Sequence, residues 1–274
     1  MALISRAQVG FCGSPHTFAR GMIRSLGYIC SLLALLLCSC HAQEPASSPS
    51  EPENAHKQRI WSSTLQEVRN LPAEYLIGPY IPASGPLHPL NKVQRLDVYY
   101  HQTFLTAGAY MLRMFAAGLD QARDSPSQWG GGMEGFGKRF GSRYGVFVIS
   151  NTFQTLGNAA LGYESRYDLC RCSGFWPRTR HAIARNFVTY NRTERELRPA
   201  IPLYVGSLGA GMISSAWLPG PRDEWKQGGI AALEQAGFGS VYNVASEFAI
   251  DIMRKITGNK YPHNLNRNAG FNKP

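Results

Sequence analysis

The sequence predicts an all-α domain, a compact bundle of four to six helices with contacts made by glycine and other small residues. Apolar residues recur three or four positions apart in residues 93–119 and again in residues 241–256, which is the spacing of an amphipathic helix. The strict alternation of apolar and polar residues that marks a half-buried strand is missing. No zinc framework, phosphate-binding loop, dinucleotide-binding motif or catalytic-triad spacing occurs in the 274 residues, so the sequence assigns no reaction.

Residues 1–42 predict a signal peptide. An uncharged apolar run of 12 residues, 26–37, follows Arg20 and Arg24 and precedes small residues, as in secretory leaders. The run is too short for a permanent span, which needs about 20 residues. Met22 would give a conventional short leader and is an alternative start. We therefore expect export to the periplasmic side of a bacterial membrane.

Two processing sites remain open after this leader. The segment Leu37-Cys38-Ser39-Cys40 resembles a lipobox, in which Cys40 would carry the lipid anchor, whereas residues 40–42 resemble an ordinary signal peptidase site. Acylation would hold the chain at the membrane because each buried CH₂ contributes about 0.8 kcal/mol. Residues 43–58, rich in Pro, Ser and Glu, predict a flexible linker, and residues 59–90 predict a proline-rich extended arm.

The helical domain is predicted over residues 91–257, with a loose tail at 258–274. The first helix carries one continuous apolar stripe, formed by Val93, Leu96, Tyr100, Phe104, Gly108, Met111, Phe115 and Leu119. A second helix runs from Met133 to about Ala160. Its glycines Gly137, Gly141 and Gly145 form a glycine zipper that would let another backbone approach closely. Further helices are predicted at Arg178–Tyr190, started by Pro177, and at about Ser240–Ile256, with an uncharged stretch over 199–221 between them.

Basic residues concentrate in the middle of the chain. Residues 138–198 contain 11 Lys and Arg against 4 Asp and Glu. The predicted basic patch comprises Lys138, Arg139, Arg143, Arg178 and Arg185. In an exported protein such a patch favours a membrane surface or anionic envelope components over nucleic acid. The alternative is a set of internal ion pairs.

Two carboxylates are the main candidates for chemistry. Glu247 and Asp251 stand four residues apart, on one face of the last helix. Such a pair could act as acid and base, but an arginine clamp that fixes helix register is the more common arrangement. Arg139, Arg143 or Arg166 could supply that arginine. A second candidate acid–base set is Glu164, Asp168 and His181.

Cys170 and Cys172 are the cysteines that remain once the leader is removed, apart from the candidate anchor Cys40. In an oxidising compartment they could close a local disulfide. A Cys-x-Cys pair lacks the four ligands of a tetrahedral zinc site. We therefore expect neither a metal nor a cofactor.

Several short motifs lie in a recognisable order. They are Trp129-Gly130, the Gly-Lys-Arg-Phe-Gly of 137–141, the Glu-Ser-Arg-Tyr of 164–167, the Gly/Ala-rich segment 205–218, and Glu247-Phe248 with Asp251. Together they resemble a group of exported bacterial proteins of unknown function. The chain departs from that group at 164–165, where its members have Asp-Pro, and at 249–250, where they often have Trp-Pro. The resemblance covers roughly residues 95–257 and implies a shared helical domain and export, without an activity.

We expect an exported, lipid-anchored helical protein that binds or scaffolds at the envelope membrane, rather than an enzyme. One alternative is a small hydrolase-type enzyme that uses Glu247 and Asp251, with Arg166 and His181 as weaker candidates. The other alternative is a weakly inserted helical membrane protein. Residues 98–119, 144–163 and 199–221 are long enough for a span, but Arg113 and the polar residues of 144–163 oppose insertion.

Overall fold

The computed structural model describes residues 72–83, 89–191, 196–220 and 223–256. Over these residues the fold is all-α, which confirms the predicted class. The signal peptide, Cys40, the linker 43–58, most of the arm 59–90 and the tail 258–274 lie outside the described residues. The helices are α1 (Glu74–Ile77), α2 (Lys92–Phe104), α3 (Ala107–Ala122), α4 (Gly132–Leu161), α5 (Phe175–Ala184), α6 (Ile201–Ser214) and α7 (Glu224–Ile256).

Helix α6 lies between the two longest helices, α4 and α7, and contacts both along its length. Helix α3 packs on α4, and α5 packs on α7. Two small sheets connect the loops. Strand β1 (Tyr80–Ile81) pairs in parallel with β2 (Tyr167–Asp168), and β3 (Val188–Tyr190) pairs antiparallel with β4 (Leu197–Pro199). Strands of two or three residues are too short to show an alternating pattern in the sequence.

Glycines allow the close approach of α6 to its neighbours. A Cβ at Gly206 would lie 2.8 Å from the Ser150 carbonyl oxygen of α4, and one at Gly211 would lie 2.5 Å from the Gln227 carbonyl oxygen of α7. The predicted small-residue contacts therefore exist, but at other positions. Gly137 and Gly141 face open space, and a Cβ at Gly145 would come no closer than 3.9 Å to Trp217. The predicted zipper is wrong, because among the described residues no helix packs against these three glycines.

The predicted first helix is in fact two helices. Asn91 caps α2 through a reciprocal pair of 2.9 Å hydrogen bonds with Gln94. The helix ends at Phe104, and Thr106 adopts an extended conformation before α3 begins. The Thr106 hydroxyl donates to the His101 carbonyl oxygen, at 3.0 Å. The same carbonyl oxygen accepts the Leu105 amide, also at 3.0 Å, so the Thr106 side chain adds a second hydrogen bond at the point where α2 ends.

Two other helix boundaries also differ from the prediction. Helix α5 starts at Phe175 and ends at Ala184, because residues 188–190 form a strand. Helix α7 begins at Glu224, well before the predicted start near residue 240. The predicted limits of α4 differ from the observed ones by one residue at each end.

The apolar stripes of several helices face outward. Val93, Leu96, Met111 and Phe115 are each more than half exposed, whereas Arg95 is buried on α2. On α7, the stripe residues Val241, Ile252 and Ile256 are also more than half exposed. Most of the buried apolar side chains are alanines, and the buried polar side chains include Arg139, Glu164, Arg166 and Glu247. The interior of the described domain is therefore unusually polar. Helical spacing predicts which residues share a face, but not which face is inward.

Two small features complete the fold. A compact apolar cluster joins α1 and β1 to the end of α7, with Ile77 and Tyr80 buried against Ile250 and Met253. Among the helices of the described residues, none combines enough length with enough apolar character to cross a bilayer.

Candidate functional site

A cavity of about 210 Å³ lies among α3, α4, α6 and α7. We call it the central cavity. Its wall is mixed, with aromatic and aliphatic side chains beside amides and charges. The charged side chains that line it are Arg113, Arg143, Glu164, Arg166, Arg185 and Glu234. The arrangement is typical of ligand sites, which combine an apolar body with a few convergent polar groups.

Arg113 of α3 is the one arginine of this wall that lacks an acceptor among the described residues. Its guanidinium lies over the Phe147 ring, 4.2 Å from the centroid, and makes no hydrogen bond or ion pair with any described residue. Burial, and after it the charge of Arg143, lowers the pKa of Arg113 to about 10, although Tyr242, Glu234 and Tyr144 act in the opposite direction. The N–H donors of Arg113 are therefore available to a molecule in the cavity.

Arg143 of α4 is fully engaged. It binds both carboxylate oxygens of Asp120, at 2.6 and 2.8 Å, and also donates to Glu234 of α7. Burial acts against its charge, but the hydrogen bonds with Asp120 and the charge of Glu234 raise its pKa above the usual range. This triad ties α3, α4 and α7 together beside Arg113. The triad holds one positive and two negative charges, so Arg143 needs no further anion, and the charge of Glu234 also favours the charged form of Arg113.

One face of α4 supplies an amide wall. Phe147, Asn151, Gln154 and Asn158 follow one another at helical spacing and all line the cavity. The Asn151 amide donates to the Thr103 hydroxyl of α2, and the Asn158 amide donates to the Ser165 hydroxyl at 3.4 Å. Gln154 makes no side-chain hydrogen bond with any described residue. Its amide, which can both donate and accept a hydrogen bond, is thus available to a molecule in the central cavity.

The other end of the cavity consists of closed ion pairs. Glu164 accepts two hydrogen bonds from the Arg166 guanidinium, at 2.9 and 3.1 Å, and both side chains are buried. Arg185 pairs with Asp168 and stacks over Tyr190, 4.4 Å from the ring centroid. These residues shape the cavity through pairs that are already satisfied.

The predicted carboxylate pair forms a closed clamp next to the cavity; neither carboxylate lines the cavity, but Tyr167, which does, donates to Glu247. The Glu247 carboxylate accepts from the Tyr167 hydroxyl at 2.8 Å, from the Cys170 amide at 3.2 Å and from Arg178 Nε at 3.0 Å. Arg178 also donates to Asp251, at 2.5 Å. We call Glu247, Asp251 and Arg178 the carboxylate clamp.

The environment of the clamp is structural rather than catalytic. Glu247 is 1% exposed, and its carboxylate accepts hydrogen bonds from Tyr167, Cys170 and Arg178. Burial, followed by the charge of Glu247, raises the pKa of Tyr167 above its usual range. The prediction of an arginine between the two carboxylates is correct, but the predicted candidates, Arg139, Arg143 and Arg166, are wrong. The arginine is Arg178, because α5 packs directly on this part of α7.

The second acid–base set is only partly assembled. His181 Nε2 lies 2.9 Å from the Asp168 carbonyl oxygen and 3.6 Å from an oxygen of its carboxylate. Glu164 instead forms an ion pair with Arg166, so it does not join His181 and Asp168. The weak candidates Arg166 and His181 therefore do not meet Glu247 and Asp251 in one site.

The predicted basic patch does not form a surface. Arg139 is buried beneath the α3–α4 loop, where it binds the carbonyl oxygens of Ser125, Gly130 and Pro126 at 2.7 to 3.0 Å. Arg143, Arg178 and Arg185 are held in the ion pairs described above. Lys138 is exposed and pairs with Glu134 at 2.7 Å. Four of the five residues of the predicted patch are therefore held by carboxylates, and Arg139 is held mainly by backbone carbonyl oxygens.

Cys170 and Cys172 form a disulfide. The link lies in the loop that leads from β2 to α5, next to the clamp through the Cys170 amide. Among the described residues, no group of three or more His, Cys, Asp and Glu side chains has the geometry to hold a metal ion.

Sequence reasoning missed the centre of the cavity. In the sequence, Arg113 and the polar residues of 144–163, which include Gln154 and Asn158, indicate only that these stretches oppose membrane insertion. An isolated arginine and evenly spaced amides in apolar helices were the available signal. The chain matches no protein-family model, no curated protein and no solved structure. The resemblance to exported bacterial proteins stays a prediction.

Proposed function

We propose that the protein is an exported, membrane-associated binding protein that takes a small anionic molecule into its central cavity. One observation carries the proposal: the Arg113 guanidinium lines the cavity and has no acceptor among the described residues. Arg113 is only partly exposed, and N–H groups held away from water without an acceptor are costly, so a protein normally supplies them with one.

Arginine favours carboxylates and phosphates because its planar fork of N–H groups matches two oxygens at once. A hydrogen bond to a charged group contributes about 1.5–3 kcal/mol. The Phe147 ring holds the guanidinium from one side and leaves its edge for the ligand. Gln154 of the same wall offers an amide to a second polar group of that ligand.

The volume limits the ligand's size. A cavity of 150 Å³ holds benzene, so by simple scaling a cavity of 210 Å³ accommodates about eight non-hydrogen atoms. This corresponds to a small mono- or dicarboxylate or a small phosphate compound. The mixed wall, with Phe147, Phe238 and Ala116 among its apolar residues, favours a ligand with an apolar part as well as an anionic one.

The cellular location is supported by the leader, with its apolar run and candidate anchor at Cys40. Acylation at Cys40, followed by the linker 43–58, would hold the domain close to the membrane surface. The closed carboxylate clamp supports binding over hydrolysis, because Glu247 is already saturated by Tyr167, Cys170 and Arg178.

Calorimetric titration with defined anions tests the binding site. The probes are inorganic phosphate, succinate and benzoate, with succinamide and benzamide as neutral counterparts. We expect at least one anion to bind and its amide not to bind, and Arg113→Gln to remove the binding. Arg123→Gln is the matched control, since Arg123 is exposed at the end of the same helix. Equal binding of acid and amide, or equal loss in the control, would contradict the proposal.

Membrane washing tests the location. We expect the processed protein to stay in the membrane fraction after high-salt washing and to be released by detergent. Cys40→Ser should then allow release by salt. Retention of the uncleaved chain in the cytosol would contradict export.

A further inference from the structure

Helix α5 has its polarity reversed relative to an ordinary surface helix. Its inward face carries Arg178, His181 and Ala182. Arg178 binds the carboxylates of Glu247 and Asp251, and His181 contacts the backbone of Asp168. Its outward face carries Trp176, Arg180 and Ile183, which follow one another at helical spacing. Trp176 is 69% exposed and Ile183 is 42% exposed.

The aromatic part of this surface extends beyond the helix face. Phe175, 60% exposed, stacks on Phe248 of α7 with ring centroids 5.3 Å apart. Ile252 stands one helical turn after Phe248 and is 52% exposed, so it continues the apolar surface. We call Phe175, Trp176, Arg180 and Ile183, together with Ile252, the α5 outer face.

The charge around this face is basic. Residues 169–190 contain four arginines and no Asp or Glu. Arg178 and Arg185 turn inward to their carboxylates, whereas Arg180 is exposed. Asp251 of α7 lies nearby, but Arg178 binds it and offsets its charge. Lys255, also exposed, follows Ile252 on the same side of α7.

We infer that the α5 outer face docks on the surface of a bilayer that contains anionic headgroups. Exposed tryptophan and phenylalanine partition into the boundary between headgroups and acyl chains, and neighbouring arginines attract anionic lipids. An exposed aromatic residue or an exposed arginine alone would be ordinary, but here Trp176 and Arg180 lie on one helix face. The inference rests on the membrane location proposed above and is independent of the central cavity.

The physical consequence is a second attachment to the membrane besides Cys40. A single lipid chain binds a membrane only marginally, and a second signal makes attachment stable. A docked α5 would hold the folded domain against the surface instead of leaving it free at the end of its linker.

Vesicle sedimentation tests this inference on the processed chain from Gln43, which has no acyl group. The probes are vesicles of 30:70 phosphatidylglycerol and phosphatidylcholine, and vesicles of phosphatidylcholine alone. We expect tighter binding to the anionic vesicles, weakened by salt because surface charges are screened. Trp176→Ala should weaken it roughly tenfold, and Arg180→Gln about fivefold.

Matched controls come from equally exposed residues elsewhere. Trp225 is 73% exposed at the start of α7, beside Asp223 and Glu224, so Trp225→Ala should leave vesicle binding unchanged. Arg123→Gln is the control for Arg180→Gln. Because Trp176 and Arg180 are exposed, both variants should keep the thermal midpoint of the parent protein.

Three results would overturn the inference. They are equal binding to both kinds of vesicle, equal losses in the control variants, or a change in molecular mass on Trp176→Ala with no change in vesicle binding. The last result would identify a contact between copies of the chain. Arg113→Gln should remove anion binding and preserve vesicle binding, whereas Trp176→Ala should do the reverse. The two proposals therefore fail separately.

Discussion

The carboxylate clamp and the central cavity both place an arginine over a phenylalanine ring, and they differ in what else that arginine contacts. Arg178 lies 4.5 Å from the Phe248 centroid, and Arg113 lies 4.2 Å from the Phe147 centroid. Arg178 also binds Glu247 and Asp251, whereas Arg113 has no acceptor among the described residues. The arginine of the carboxylate clamp is satisfied by carboxylates of the protein, whereas the arginine of the central cavity keeps N–H donors without an acceptor.

This difference separates stability from binding. In a closed buried pair, removal of one partner leaves an uncompensated charge, so the cost appears in the free energy of unfolding. In the open site the free protein already carries that cost. Removal of Arg113 should therefore affect ligand affinity and leave stability unchanged or improved.

Glu247→Ala should have the largest effect. The substitution leaves Arg178 and the Tyr167 hydroxyl without their main acceptor, and we expect a loss of about 3–5 kcal/mol in the free energy of unfolding. Urea denaturation followed by circular dichroism measures it. A loss under about 1 kcal/mol would show that the clamp does not hold α5 to α7.

The two arginines should respond in opposite directions to the same substitution. Arg178→Met should lower the free energy of unfolding by about 3 kcal/mol, because Glu247 is left buried and unpaired. Arg113→Met should leave the free energy of unfolding within about 1 kcal/mol of the parent or raise it, since no hydrogen bond or ion pair among the described residues is broken. Equal destabilisation by both would mean that Arg113 has a structural partner.

Alkaline pH should weaken anion binding specifically in the cavity. The pKa of Arg113 is lowered to about 10, so the free protein begins to lose this charge as the pH rises through that value. An anion binds the charged form, so its affinity should be flat from about pH 7 to 9 and fall about tenfold per unit above about pH 10.

Controls can separate this effect from alkaline unfolding. Burial raises the pKa values of Tyr80 and Tyr242 to about 12, so these hydroxyls stay protonated in the folded protein while they ionise in the unfolded chain above about 10. Stability therefore falls over that interval, and circular dichroism must be recorded at each pH. An affinity that falls already near pH 8, with the fold intact, would assign the titration to another group.

Asp251→Asn should have the smallest effect. Asp251 is 48% exposed, and solvent screens its pair with Arg178, so we expect a loss of at most about 1 kcal/mol. Urea denaturation alongside Glu247→Ala gives the contrast. A loss as large as that of Glu247→Ala would place most of the clamp's energy in the exposed carboxylate.

Part of this comparison could be predicted from the sequence. The i, i+4 spacing of Glu247 and Asp251 on an amphipathic pattern predicts a shared face, and two like charges there predict a nearby cation. Which arginine supplies it depends on α5 packing on α7, which no local pattern encodes. The predicted limits of α4 were close because glycines end it on both sides.

The cavity could not be predicted in this way. Arg113 of α3 and Glu234 of α7 both line the central cavity, although they are 121 positions apart in the chain. The apolar stripe of residues 93–119 also predicts an inward face that the structure turns outward. Periodicity is local, whereas the choice of buried face depends on how the polar groups of all the helices satisfy one another.

A crystal structure of the protein with the tightest-binding carboxylate tests the central claim most directly. We predict that both carboxylate oxygens lie about 2.7–2.9 Å from the Arg113 guanidinium nitrogens, with the ligand against Phe147. A carboxylate bound elsewhere, or an Arg113 guanidinium turned away from the cavity onto an acceptor of the protein itself, would contradict the account.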